Sequence, residues 1–455
     1  MAISRRLRRG PLIGAAVLAV VVTGAVAYRA FAPAETLTVA RPAAYPAEPD
    51  SPAGVRGTLP TAPLIVAGRI RVYAAAREVS ADGPVDATYR NTPTWAYRRW
   101  PAQLTGVVAT APAGSADSAG SGGAAGSGGA AGSGGGAAAP AGATGDGADP
   151  LVVTRWSDGE LVALDARTGR IGWRAAGPAT DARYDGRRTG AGTVYAPPGL
   201  RLAAPPGGSP VLIVAGRTEL VGLDARTGRR LWRVDVPAAC RTDQLTTAAG
   251  EFAAIDTCDT PWAVEFRNVA TGAVLRRWHP EAGAEWTGLA GLGCAAGRSG
   301  CPAIRVTDRA GGGQGWLVDR PQPARDELLD PSGVAVVDGL AVAVQGTVVL
   351  ARPAAGGRER WRHTVPAGTT VLAVQPGRVH LLGADRQLLT LDSRTGRELS
   401  RFDLRYGEDG TGWDPGAAYA ADGFVAVERL APPVDPSAGD QRYYLAARPV
   451  ILAAT

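Results

Sequence analysis

At 455 residues, with 62 glycines and 35 prolines, the chain has room for one large domain or two to three ordinary ones. It carries too many turn formers for a helical protein. Its formal charge of +6 does not mark a nucleic-acid binder. Arg5, Arg6, Arg8 and Arg9 supply most of it, and no basic run interleaved with aromatics follows. There is no lysine; with abundant Ala and Gly, that bias is the stamp of a high-GC bacterial coding sequence.

Residues 1–10 read as a basic cytoplasmic tail. PLIGAAVLAVVVTGAVAY, residues 11–28, is uncharged and just long enough to span a bilayer. The arginines before it hold the N-terminus in the cytoplasm. A cleaved signal peptide, releasing a secreted protein, is the alternative, because Ala30-Phe31-Ala32 has the form of an A-x-A cleavage site. The length of the apolar run favours a retained anchor in the plasma membrane, with everything beyond it outside. No cysteine follows directly, which excludes a lipoprotein. Residues 29–63, rich in Pro and Ala, read as a semi-extended spacer.

From residue 64 the chain alternates short apolar runs with turns. LTGVVAT and PLVVTRW flank a Gly/Ala/Ser tract at 111–149 that cannot bury a core. The flanks read as two strands of one hairpin, so the tract is a disordered insertion inside a single domain. LVALDARTGRIGW at 161–173 returns as LVGLDARTGRRLW at 220–232 and as LLTLDSRTGRELS at 388–400. FRNVATGAVLRRW (266–278) and VLARPAAGGRERW (349–361) are weaker copies. The four-residue apolar run fits a strand buried on both faces. Asp-x-x-Thr-Gly is a turn in which the carboxylate bonds its own backbone and the glycine takes the positive-φ position. The chain then returns as a further strand.

Two more short strands precede each copy. Four strands per unit at intervals of 40 to 60 residues spell an all-β propeller of four-stranded antiparallel blades. Eight units can be placed, at 64–100, 103–175, 190–236, 245–280, 286–320, 332–365, 370–404 and 417–455. The fifth is poorly marked and the eighth lacks the tryptophan, so seven or eight blades are allowed. Trp173, Trp232, Trp278 and Trp361 occupy one place in their units, where a large flat side chain wedges between blades. They are structural.

The D-A-x-T-G-x-x-x-W pattern resembles the repeat of PQQ-like β-propellers, over nearly all of residues 64–455. That superfamily holds quinoprotein dehydrogenases and non-enzymatic scaffold propellers of the barrel-assembly type. The quinoenzymes hold PQQ with Ca²⁺ through a carboxylate and an asparagine, often beneath a disulfide of adjacent cysteines. This chain has no adjacent cysteines, and its two asparagines, Asn91 and Asn268, both occupy turn positions. No cofactor, catalytic or metal residue is therefore assigned, with PQQ and calcium kept as the alternative. No G-x-S-x-G, H-E-x-x-H or G-x-x-x-x-G-K-[ST] motif occurs. His279, His363 and His380 sit beside blade tryptophans or inside an apolar run and read as surface or core residues. The acidic loop GEDGTGWD at 407–414 reads as solvated.

Cys240, Cys258, Cys294 and Cys301 suit disulfides in an exported protein, and the count alone leaves three pairings open. Blade geometry narrows them. With strands lettered A to D, the B–C and D–A connections open on one face (the first), and the A–B and C–D turns on the other (the second). Cys240 and Cys258 fall on the first face, while Cys294 and Cys301 bracket one A–B hairpin, so each pair is expected to bond. The same reasoning puts Trp156, Trp262, Trp286 and Trp413 on the first face, with Arg217, Asp385 and Arg386 nearby. Trp and Arg anchor interfaces, which makes these seven the candidate binding face. The expectation is a membrane-anchored, non-catalytic scaffold or binding module for a protein or cell-envelope component. A PQQ/Ca-dependent oxidoreductase or cofactor sensor is the alternative.

Overall fold

The computed structural model describes residue 18 and residues 34–40, 46–89, 92–110, 149–185, 189–205, 207–237, 240–258, 261–280, 286–405, 410–432 and 446–455. Apart from Leu18, the expected anchor at 11–28 lies outside them, as do Asn91, most of the 111–149 tract and residues 407–409 of the acidic loop. Among the described residues no helix is long and apolar enough to cross a membrane.

The chain forms eight antiparallel sheets arranged as the blades of one propeller. Blade 2 shows the plan: Leu104–Ala109, Leu151–Trp156, Glu160–Asp165 and Ile171–Ala176 run outward as strands A to D. Leu104–Ala109 pairs directly with Leu151–Trp156, so the biased tract does interrupt a single hairpin. Blades 3 to 7 repeat the order consecutively, with outer strands Arg230–Asp235, Val274–Trp278, Ala324–Arg325, Trp361–Thr364 and Glu398–Asp403.

Eight apolar clusters hold the ring together, each shared by two consecutive blades. This explains why LVAL shows no alternation. Successive side chains of a strand point to opposite faces, and here both faces meet a neighbour. Val162 and Leu164 pack toward blade 1, while Leu161 and Ala163 pack toward blade 3.

The repeated turn and the tryptophan are two halves of one fastening. Asp224 Oδ1 accepts from the Arg226 and Thr227 amides at 3.0 and 2.9 Å, which shapes the turn. Gly228 then adopts φ 70°. The Trp173 ring of the preceding blade lies on that glycine, so close that a Cβ there would stand 2.5 Å from it. The indole N–H donates to Ala225 O at 3.1 Å. Trp232 repeats the contact on Val269 O and Trp361 on Ser393 O. Trp95 does the same on Ala166 O at 2.8 Å, a fourth instance that the sequence reading did not place among the docking tryptophans. Trp278 departs from the pattern: it pairs with Val264, two residues further along strand D than Trp173, Trp232 and Trp361, which pair with Ala163, Gly222 and Ala351. The C–D connection of blade 5, residues 318–323, contains no glycine, and Trp278 packs edge to face on Trp316 instead, with ring centroids 4.6 Å apart.

Residues 29–63 are not a stalk over their described length. Glu35–Val39 adds a fifth, outermost strand to blade 1 by pairing with Trp95–Arg99. Gly54–Leu59 becomes strand D of blade 8, pairing with Val450–Ala454. Blade 8 lacks the tryptophan motif because its outer strand comes from the start of the chain, which closes the ring. Both strands are short, lie in Pro/Ala-rich sequence and pair with remote segments, so no local pattern betrays them. The stretch between them crosses the second face: Arg69 Nη1 donates to Pro46 O at 3.2 Å, and Ser51 Oγ donates to Asp86.

Candidate binding surfaces

The two disulfides pair as expected, Cys240 with Cys258 and Cys294 with Cys301. The tryptophan face does not form. Trp156, Trp286 and Trp413 are buried, and their N–H groups donate to Thr154 Oγ1, Pro280 O and Gly410 O. Each plugs the end of its own blade, because burying an indole yields more than leaving it in water. Trp262 is half-buried. Nor do the polar members gather. Arg217 pairs with Asp181 at 3.2 Å in blade 3. Asp385 caps the Gln387 amide, and Arg386 lies over the Trp413 ring in blade 7. Blades 3 and 7 stand opposite each other in a ring of eight, so these residues share no patch.

Of the three histidines, His380 is packed into the core, while His279 is exposed with Nδ1 3.1 Å from Trp262 O. His380 is buried between Gln375 Nε2 at 2.8 Å and Thr390 Oγ1 at 3.1 Å. Burial, helped by the Arg378 charge, pushes its pKa down to about 3, which keeps the ring neutral.

The axis of the ring is packed. The long D–A connection from blade 2 to blade 3 runs inward and forms a short helix at Ala191–Tyr195. Thr193 and Val194 are buried, and Val194 joins the cluster of blades 1 and 2. Thr189 Oγ1 donates to Glu428 of blade 8 at 2.8 Å. Tyr195 donates to Pro63 O and packs on Tyr419 of the same blade, with centroids 4.7 Å apart. From the other side comes the disulfide-closed A–B loop of blade 5, whose Gly297 N–H donates to Tyr195 O at 2.9 Å.

Buried guanidinium groups tie these pieces down through carbonyls. Arg155 donates to Gly199 O and Ala215 O at 3.0 and 2.8 Å, and burial lowers its pKa to about 10. Arg201 reaches Gln244 O at 2.7 Å, and burial with the neighbouring Arg298 charge lowers it to about 9. A buried cation without a carboxylate is tolerated where several carbonyl dipoles surround it.

Among the described residues no three His, Cys, Asp or Glu side chains converge on a point that could hold a metal ion.

Besides a recess of about 370 Å³ on the first face, lined by Asp158, Glu160 and Arg174 among others, two recesses open on the second face among the described residues. One, of about 420 Å³, lies where blades 7, 8 and 1 meet, and its walls include Glu48, Ser51, Arg378, Asp422 and Thr455. The smaller, about 140 Å³, lies between blades 1 and 2 and is lined by Pro46, Pro84 and Trp95 among others. The crossing segment 46–51 supplies a wall to each. It belongs to the stretch read as spacer, so sequence reasoning could not find either recess.

The family described as "Outer membrane protein assembly factor BamB" matches residues 157–279 and 303–429, more than half of the chain. The chain belongs to this family. The matched stretches cover the outer half of blade 2 through blade 4, and strand B of blade 5 into blade 8. Among solved structures, BamB from Moraxella catarrhalis is 13% identical, with 88% of this chain and 97% of that chain covered and a TM-score of 0.42. The computationally designed Ika8 protein is 14% identical over 67% of this chain and 93% of that one, TM-score 0.35. The C-terminal WD40 domain of Sif2 is 11% identical over 62% and 75%, TM-score 0.37. No curated protein matches the chain.

Proposed function

We propose that this BamB-family propeller is held at the outer side of the plasma membrane by residues 11–28 and works without catalysis, as a scaffold that binds a protein partner in the cell envelope. The observation that carries this reading is the packed axis: where a quinoprotein needs room for its cofactor, this chain places the Tyr195 helix and the disulfide-closed loop of blade 5. Family membership supports it, and the two disulfides suit an oxidising compartment. The partner site is the recess of blades 7, 8 and 1, which offers both signs of charge around a concave floor.

In-cell photo-crosslinking tests the proposal, with the reactive group at positions 48 and 422 and a first-face control at 217. A discrete protein adduct from the first two positions and not from the third is expected. The absence of any adduct from 48 and 422 contradicts the site. Recovery of the protein in the soluble fraction, trimmed after Ala32, contradicts the anchor.

A further inference from the structure

The point where the chain enters the propeller carries an exposed arginine stacked on a tryptophan. Ala34, the residue before the outermost strand of blade 1, accepts from the Trp100 amide at 2.8 Å. The Arg77 guanidinium lies 3.9 Å above the centre of the Trp100 ring. Arg77 stands in the B–C turn and Trp100 in the D–A connection of blade 1, so both are on the first face. Arg77 is exposed and Trp100 half-buried, unlike Trp156, Trp286 and Trp413. Neighbouring Arg98 keeps 65% of its side chain exposed while paired with Glu78.

This corner is short of chain. The seven residues from Arg29 to Glu35 cannot span more than about 25 Å even when fully extended. The entering strand is also fixed. Glu35 bonds Arg99 of its own blade at 3.1 Å and Arg174 of blade 2 at 2.9 Å, so the tether acts on a rigid corner. A tryptophan with an arginine on its face suits the bilayer interface, where the ring sits among headgroups and the cation meets lipid phosphate.

We propose that the Arg77–Trp100 corner of blade 1 rests on the headgroup region of the membrane, so that the second face and its recesses point away from the bilayer. The inference rests on the reading of residues 11–28 as a retained anchor. Full-chain protein in phosphatidylcholine–phosphatidylglycerol vesicles tests it, with a headgroup spin-labelled lipid as quencher of tryptophan emission. Wild-type emission should be partly quenched, and Trp100→Phe should remove at least half of the quenchable part. Trp278→Phe, on blade 4, should leave it unchanged. Arg77→Glu keeps the ring but places a carboxylate near lipid phosphate, and should lower quenching at least twofold.

Equal quenching in wild type, Trp100→Phe and Arg77→Glu overturns the corner even if the protein stays in carbonate-washed membranes. Extraction by carbonate overturns the anchor, and the corner falls with it.

Discussion

The interface of blades 2 and 3 and that of blades 4 and 5 differ in both the tryptophan and its receptor. Trp173 pairs with the fourth residue of its strand C, Ala163, whereas Trp278 stands two residues further along and pairs with the second, Val264. Trp173 finds a glycine in the left-handed region and a free carbonyl on Ala225. Trp278 finds neither and stays half-buried against Trp316. The repeated motif is therefore not a property of one blade. Its tryptophan acts on the next blade's turn, and the lock needs both the tryptophan in register and the turn beside it.

The largest expected effect is at the tryptophan itself. Trp173→Ala should cost about 3–5 kcal/mol of unfolding free energy, and Trp278→Ala roughly 1–2 kcal/mol, both read from denaturant midpoints. Equal losses would break the comparison. Gly228→Ala should come next, at about 2–4 kcal/mol, since it adds left-handed strain to a clash with the Trp173 ring. Gly339→Ala has a similar φ of 73° but nothing within 4 Å of the added methyl, and should cost only about 1–2 kcal/mol. Asp224→Ala removes the acceptor of two turn amides and should cost about 1 kcal/mol.

The smallest effect sharpens the contrast between packing and ionic fastening. The Arg174 guanidinium holds the Glu35 carboxyl below its ordinary value of 4.5. Its contribution is thus present above that value and lost as pH falls through the lowered folded one. Amide exchange in Glu35–Val39, corrected for intrinsic rate, should accelerate in that window, while Arg230–Asp235 of blade 3 should not respond.

The fold was legible because a propeller repeats its instructions. Three near-identical copies expose the strand pair, the turn and the tryptophan position, and consecutive connectivity fixes which loops share a face. Both disulfide pairings followed from that alone. The outer strands at 35–39 and 54–59 were hidden because they are completed by partners far away in sequence and sit in spacer-like composition. The binding face failed for a different reason. Strand letters tell which face a residue stands on, but not whether its side chain turns inward, and Trp156, Trp286 and Trp413 all do. Trp100 gave no repeat signal, since its significance lies in its contact with Ala34 and Arg77.

A scaffold propeller requires its axis to be closed by the chain itself, and hydrogen exchange at Thr193, Val194 and Gly297 tests that directly. Protection comparable to the blade strands, unchanged by added quinone and calcium, is the predicted result. Exchange at the rate of open loops, or protection that appears only with quinone and calcium, would show an accessible channel and contradict the scaffold reading.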